Sequence, residues 1–283
     1  NDLGIALRLA SDFNEPSSRA SVLETYKQII ADAKSSAMYL PDFATHPFRP
    51  SKIAAYGLLA RTYLSMRNYD SAAKYAEYCV DLKSDLMDYN NDPQINSAAT
   101  GTTNPFSLFN KEIIFYSEAS LTAGSLIGST NGLIDTILYR SYASNDKRKR
   151  LFFANATGGF QRFRGNYTVN TRMFSGLATN EILLISAEAN ARIGNLSKSM
   201  QRLNQLLTKR YDATFIPLNE SNKDVATELI LKERRKELLM RGLRFSDVKR
   251  LNKENNKIVM KRIIDTDTTS LNPNVGNYCV INI

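Results

Sequence analysis

The sequence has no tryptophan, a single histidine (His46) and only two cysteines, Cys79 and Cys279, among its 283 residues. With the cysteines far apart and no CxxC pair, zinc sites and Cys/His nucleophile pairs lack material. A Cys79–Cys279 disulfide stays open, because sequence gives no distance. His46 stands in "THPFRP" with no acid patterned beside it and reads as a solvated or turn histidine. No apolar run approaches the roughly 20 residues of a transmembrane helix. The opening "NDLGIALRLASDFNEPSSRA" has no basic leader, long apolar core or cleavage site. We therefore expect a soluble chain. The missing initiator Met and the absence of a helical start suggest a processed or truncated piece of something longer.

Other chemistries are equally short of parts. "ATGGFQ" and "TAGSLIGST" have neither the Lys nor the strand-to-helix setting of a phosphate loop. "DYNND", Asp88 to Asp92, spaces oxygen ligands like the start of a calcium loop, but Pro93 stands where the tight-turn glycine belongs, and "DTDTT" at Asp265 is weaker still. We expect no metal and no cofactor. Paired carboxylates can cleave a glycosidic bond. Glu233 and Glu237, however, lie one turn apart among arginines that keep both ionised, whereas a proton donor needs the opposite surroundings. An enzyme is not expected.

What the chain does hold is 43% hydrophobic residues, enough for a sizeable core, and a formal charge of +9. The Lys and Arg residues are spread through helical patterns rather than gathered in a tail, so the charge is a weak pointer to a polyanion. Helical periodicity is clearest in three blocks. In "RASVLETYKQIIADAKSSAMYLP", Val22, Tyr26, Ile29, Ile30 and Ala33 recur at three- and four-residue spacing, with Ser21 and Glu24 as a capping box and Pro41 beyond the end. "RPSKIAAYGLLARTYLSMRNYDSAAKYAEYCVDL" splits at "RNYD" into two helices with a tetratricopeptide pattern: Tyr56, Leu59, Ala60 and Tyr63, then Tyr69, Ala72 and Ala76. Small Ala60 and Ala72 let antiparallel helices approach closely. A degraded copy, "EILLISAEANARIGNLSKSMQRLNQLL", superposes at constant offset, with Leu183 for Tyr56, Ala187 for Ala60 and Ser199 for Ala72. Neighbouring repeats follow within about 34 residues, so copies this far apart imply an inserted region or a non-contiguous bundle. Between them, 88–180 is rich in Asn, Ser, Thr, Gly and aromatics, with a short strand-like "EIIFYS". Such a stretch between helical blocks is where a binding surface is ordinarily built.

The order "RPSKIAAYGLLARTYLSMRNYDSAAKYA", "LLISAEANARIGNLSKSMQRLNQLLTKR", "ILKERRKELLMRGLRFSDVKRL", closing in an ER..EL...G.R..D..R pattern, resembles the C-terminal two thirds of SusD/RagB-family proteins. These are surface-exposed nutrient-binding lipoproteins of Bacteroidetes. The resemblance covers nearly the whole chain. It implies an all-α fold of tetratricopeptide-like helix pairs with a loop-rich inserted region: one SusD-like domain over 1–283, first helices in 21–87, a ligand-binding region in 88–180, the second pair and signature helices in 181–253, and an extended tail in 254–283. It further implies non-catalytic capture of a glycan or oligosaccharide, in some members a peptide, at the outer-membrane cell surface, for delivery to a SusC-like TonB-dependent transporter. Attachment would be through a lipid anchor that this chain lacks.

Glycan recognition needs flat apolar faces for sugar C–H surfaces and amides, carboxylates or Arg for hydroxyls. In "FFANATGGFQRFRGNY" the candidates are Phe152, Phe153, Phe160, Arg162, Phe163, Arg164, Asn166 and Tyr167. The competing reading makes the aromatics a local core for the loop layer. The Arg and aromatic alternation suits an acidic glycan or a peptide as well as a neutral sugar, and the missing Trp leaves no family ligand residue to carry over. The same short run could stack single-stranded nucleic acid, but no nucleic-acid fold surrounds it and none is expected as partner. From another class, a helical-repeat adaptor could hold a protein between helix pairs. Finally, "ILKERRKELLMRGLRFSDVKRL" packs eight basic against three acidic residues. Its helical count puts Glu233 and Glu237 on the apolar stripe, with Gly242 ending the helix. We expect a partly buried structural network of Glu233, Glu237, Arg244, Asp247 and Arg250, with Lys232, Arg235, Lys236 and Arg241 as the solvated remainder.

Overall fold

The computed structural model describes residues 2–119, 132–254, 256–264 and 267–271, those from 261 onward as backbone. A short antiparallel pair, β1 (Leu3–Ala6) and β2 (Arg19–Ser21), leads into helix α1 (Val22–Tyr39). The capping box forms as the sequence indicates: Glu24 N donates to Ser21 Oγ (3.1 Å) while Ser21 N donates to Glu24 Oε2 (2.8 Å). Helices α2 (Lys52–Ser65) and α3 (Tyr69–Leu82) are the first tetratricopeptide-like pair. The chain turns between them at Arg67, in the left-handed region, and the Asn68 side chain caps α3. Leu59, Ala60, Ala72 and Ala76 are wholly buried, and the Tyr63 and Tyr75 rings stack at 5.6 Å.

The middle of the chain is a layer of short pieces: β3 (Ile113–Phe115), β4 (Glu118–Ala119), α4 (Thr136–Arg140), α5 (Lys147–Phe152), β5 (Phe153–Asn155), β6 (Gln161–Phe163), β7 (Met173–Phe174) and β8 (Leu177–Ala178). The pairs β3–β8, β4–β7 and β5–β6 are all antiparallel. The second helix pair follows, α6 (Thr179–Arg192) and α7 (Leu196–Leu207), and then α8 (Lys223–Glu237) and α9 (Arg244–Asn252). A hairpin of β9 (Met260–Ile264) and β10 (Asp267–Leu271) ends the described chain, and Cys279 and "NYCVINI" lie outside the described residues. Cys79 is buried, its Sγ toward the Ile53 carbonyl, and burial pushes the thiol up to about 12, which removes it as a nucleophile at neutral pH.

The two helix pairs, distant in sequence, are neighbours in space, because α3 packs on α6. The degraded repeat position keeps its function: Ser199 is fully buried, and its Oγ donates to the Ala187 carbonyl (2.8 Å), so a polar small residue still permits close helix approach. Two apolar cores result. One lies among α1–α3 and α6–α8, the other inside the loop layer around Phe106, Phe152, Phe163, Tyr167 and Phe174. The β3–β8 pair sits between them, with Ile114 and Leu177 in the first core and Ile113 and Ala178 in the second. Gly176, before β8, allows this close approach: a Cβ there would stand 2.0 Å from the Phe115 carbonyl oxygen.

A seam of buried charge joins the layers. Arg210 donates through Nη2 to both oxygens of Glu112 (2.8 and 2.9 Å), and through Nε to Glu237 (2.9 Å). Arg148 reaches Asp146 (2.7 Å), Glu233 (2.6 Å) and Glu237 (3.2 Å). Glu233 and Glu237 do face inward with the apolar stripe of α8, but their partners are Arg148 and Arg210, not Arg244 and Arg250. Arg250 instead holds Glu188 (2.6 Å) and Asp247 (2.9 Å), and Arg234 also takes Asp247 (2.9 Å). Arg244 is half-buried and forms no ion pair among the described residues; burial and nearby Arg235 hold its pKa below the ordinary value. Lys236 and Arg241 are buried, not solvated, so of those four only Lys232 and Arg235 are exposed. Helix α8 ends at Glu237, ahead of Gly242, which serves the following turn in the left-handed region.

Candidate ligand-binding face

Of the eight loop residues singled out from sequence, the structure places six in the interior. Phe152, Phe153, Phe163 and Tyr167 belong to the loop-layer core. Arg164 is buried and spends its donors on the carbonyls of Leu151, Ala99, Gly101 and Arg150, which ties the 97–101 loop to α5. Asn166 is buried as well. Its amide donates to the carbonyls of Asn170 and Arg172 and its Oδ1 accepts from Phe174 N, so it shapes the 166–172 loop. The reason is physical: a layer with little regular structure must bury its own aromatics to be stable at all. Phe160 (41% exposed) and half-buried Arg162 remain at the β5–β6 hairpin. They alternate along the strand away from buried Phe163, with Arg162 beside Leu133 across an isolated bridge.

A denser aromatic cluster lies where the loop before α2 meets the layer. Phe48 is 57% exposed and stacks on exposed His46 (5.1 Å, 26° between planes). Phe109 meets both edge-on, at 4.8 Å from His46 and 5.4 Å from Phe48. Tyr116 closes the group from beneath, its ring 4.9 Å from Phe48 and 5.1 Å from Phe109. The loop is fixed locally: Arg49 N and Phe48 N fold back on the His46 carbonyl and Nδ1, and Tyr116 N donates to the Pro47 carbonyl (2.8 Å).

The polar half of the face adjoins it. Tyr116 Oη donates to Glu118, and the same carboxylate accepts from Asn170 Nδ2 (2.9 Å) and pairs with exposed Arg172 (3.1 Å). Burial alone would push the Glu118 carboxyl up, but these three donors hold it below the usual range, so it is ionised at neutral pH. Glu118 stands opposite Phe174 in the β4–β7 register, so both side chains share this face, while Phe115 and Ser117 alternate to the other side. There they line an apolar groove of about 480 Å³ between α1, α2 and β8, with Tyr39, Leu58 and Gly176, beside the Arg61–Glu181 pair (2.6 Å).

Sequence reasoning took His46 for a solvated or turn histidine and did not single out Phe48, Phe109, Glu118, Asn170 or Arg172. "THPFRP" held the signal: an aromatic and a histidine two apart in a short proline-bounded loop. The Asp88–Asp92 loop is closed by its own hydrogen bonds and by lysines, with Lys209 on Asp88 (3.0 Å) and Lys111 on Asp92 (2.7 Å). Among the described residues, no group of three or more His, Cys, Asp and Glu is placed to hold a metal, and no helix is long and apolar enough to cross a membrane.

The class defined by this architecture is a mostly helical scaffold of tetratricopeptide-like pairs carrying a loop layer with its own core. The comparisons specify it. A SusD-like family model described as "starch-binding associating with outer membrane" matches residues 4–64, and the SusD family model matches residues 177–281. Over both of these segments the chain is similar to the SusD family. Solved structures share the fold. A SusD-like protein from Bacteroides fragilis NCTC 9343 has 18% identity and a TM-score of 0.69, over 96% of this chain and 70% of its own. A SusD-like carbohydrate binding protein from Bacteroides vulgatus ATCC 8482 has 21% identity and a TM-score of 0.66, over 96% and 62%. A SusD superfamily protein from Bacteroides thetaiotaomicron VPI-5482 has 20% identity and a TM-score of 0.70, over 94% and 63%. The chain thus spans between 62% and 70% of the length of these relatives. Among curated proteins nothing matches.

Proposed function

We propose that the chain binds a glycan without transforming it, at the outer-membrane surface, and passes it to a SusC-like TonB-dependent transporter. The observation that carries this reading is the exposed His46–Phe48 stack, backed by Phe109 and Tyr116, beside Glu118, Asn170 and Arg172. Flat apolar faces suit the C–H side of a pyranose, and an ionised carboxylate, an amide and a guanidinium suit its hydroxyls. Glu118, kept ionised by its three donors, is poorly suited to be a proton donor, which favours binding over hydrolysis. The two SusD family-model matches and the carbohydrate-binding description of the B. vulgatus relative add support. Phe160 and Arg162 form a second aromatic and cationic surface of the same layer.

Isothermal titration of the intact chain against oligosaccharides selected on a glycan array tests this. Phe48→Ala should weaken binding at least tenfold while lowering the melting temperature by no more than a few degrees, because a ring more than half exposed buries only part of its surface in the free protein. Unchanged affinity would remove the platform from the site. The groove beside Tyr39 and Leu58 is the observation that favours a protein-binding adaptor. Stoichiometric co-purification of one protein, with no glycan bound, would decide for that reading.

A further inference from the structure

Arginines taken into the interior of this fold are matched by carboxylates: Arg148, Arg210, Arg234 and Arg250 each have one within 2.9 Å. Arg164 is satisfied by backbone carbonyls instead. Arg241 has neither. It is 8% exposed and donates to no acceptor among the described residues, and its guanidinium lies over the rings of Tyr167 (4.1 Å) and Phe174 (4.5 Å). No Arg241 nitrogen is among the enclosed side-chain atoms that lack a partner, so those without an acceptor among the described residues keep some contact with solvent. A charge this buried normally meets a counter-charge.

Its placement connects it to the aromatic platform. Phe174 shares a face with Glu118, and the Tyr116 ring lies 5.8 Å from Phe174 and 4.9 Å from Phe48. Arg241, Phe174, Tyr116 and Phe48 therefore follow one another from the interior to the exposed stack. The backbone is bent to put Arg241 there: Met240 (φ 56°) and Gly242 (φ 72°) flank it in the left-handed region, a conformation that a side chain such as that of Met240 disfavours. Glu118 pairs with Arg172 and forms no ion pair with Arg241.

We propose that Arg241 receives the carboxylate of a uronosyl residue, so that the ligand is an acidic polysaccharide. The inference rests on the platform being the glycan-binding face. A guanidinium presents paired donors matched to a carboxylate, and its enclosure by two rings lowers the competition from water.

The test is titration of the intact chain with galacturonate, mannuronate and glucuronate oligosaccharides, each beside its carboxyl-reduced neutral counterpart, with oligoglutamate as an acidic peptide control. At least one uronide should bind about 10- to 100-fold more tightly than its reduced form, the range of a charged hydrogen bond. Arg241→Gln should abolish that preference and Arg241→Lys should keep part of it, while Phe48→Ala weakens both forms. Equal affinity for a uronide and its reduced form, binding of neutral sugars or oligoglutamate only, or no uronide bound would each overturn the inference. So would a preference that survives in Arg241→Gln. If Phe48→Ala alone leaves both affinities unchanged, it is the platform reading that fails. Should Arg241→Gln not fold, the wild-type comparison and Arg241→Lys decide.

Discussion

Glu237 offers the sharpest test of how the two layers are joined. Its carboxylate is fully buried and accepts from Arg210 Nε (2.9 Å), Arg148 Nη1 (3.2 Å) and Asn180 Nδ2 (2.8 Å). Glu237→Ala leaves these three donors facing a cavity. Three charge-assisted bonds at about 1.5–3 kcal/mol each would add to roughly 5–9 kcal/mol. The loss should be smaller, because Arg210 keeps Glu112, and Arg148 keeps Asp146 and Glu233. Removing one partner from a buried pair costs about 3–5 kcal/mol, and that is the expected loss. Against a typical stability of roughly 5–15 kcal/mol it takes a large part of the total. Urea unfolding followed by circular dichroism reads it directly: with an m-value of about 3 kcal/mol/M, the midpoint should fall by roughly 1 M or more. Glu228→Ala is the control on the same helix. Its pair with Lys232 (2.7 Å) is exposed on both sides, and the change should stay within about 0.5 kcal/mol. If Glu237→Ala moved the midpoint no further than Glu228→Ala, the seam would not be what holds the layers.

Two further outcomes are expected. Phe163→Ala removes a ring that is 2% exposed and should cost about 3–5 kcal/mol, whereas Phe160→Ala, three residues away on the opposite strand face, should cost about 1–2 kcal/mol; similar melting temperatures for the two would contradict the strand alternation. Acid should unfold the protein through its buried carboxylates. For Glu237 and Glu233 burial pushes the pKa up but Arg210 and Arg148 more than reverse it, and Arg234 and Arg250 do the same for Asp247, so all three sit below the ordinary range. Groups depressed in the folded state stabilise it above their unfolded pKa of roughly 4, and that contribution is lost as pH falls through the folded values. The urea midpoint should be level between about pH 7 and 5 and drop below about pH 4; a constant midpoint down to pH 3 would contradict it.

The helical body was legible because its rules are local. Ser21 and Glu24 cap α1, Asn68 caps α3, and Ala60, Ala72 and Ala76 line the close contacts, all within a few residues of the pattern that announces them. The inward turn of Glu233 and Glu237 was readable in the same way. Their partners were not: a linear reading offers Arg244 and Arg250 nearby, while the fold brings in Arg148 and Arg210 from other segments. The loop layer failed for the same reason. Phe152, Phe163 and Tyr167 look like a sugar platform in a row, yet each is buried by chain that arrives from elsewhere, such as Phe106 on Tyr167 and Glu112 on its hydroxyl. The candidate set, exposed His46, Phe48 and Arg172 with half-buried Phe109 and Glu118, is scattered over three segments and becomes a unit only when folded.

Tyr167 deserves a separate reckoning, because it answers to two demands at once. Its hydroxyl donates to Glu112 in the charged seam (2.6 Å), and its ring carries the Arg241 guanidinium. Residues such as Phe48, His46 and Arg172 lie exposed, and their exchange leaves the joint between layers undisturbed. Tyr167 has no such freedom: Tyr167→Phe keeps the bed under Arg241 but leaves Glu112 one donor short, and any smaller residue loses both. For an engineer recutting this face for a new ligand, the region near Tyr167 marks the limit beyond which a change in selectivity is also a change in how the molecule is assembled.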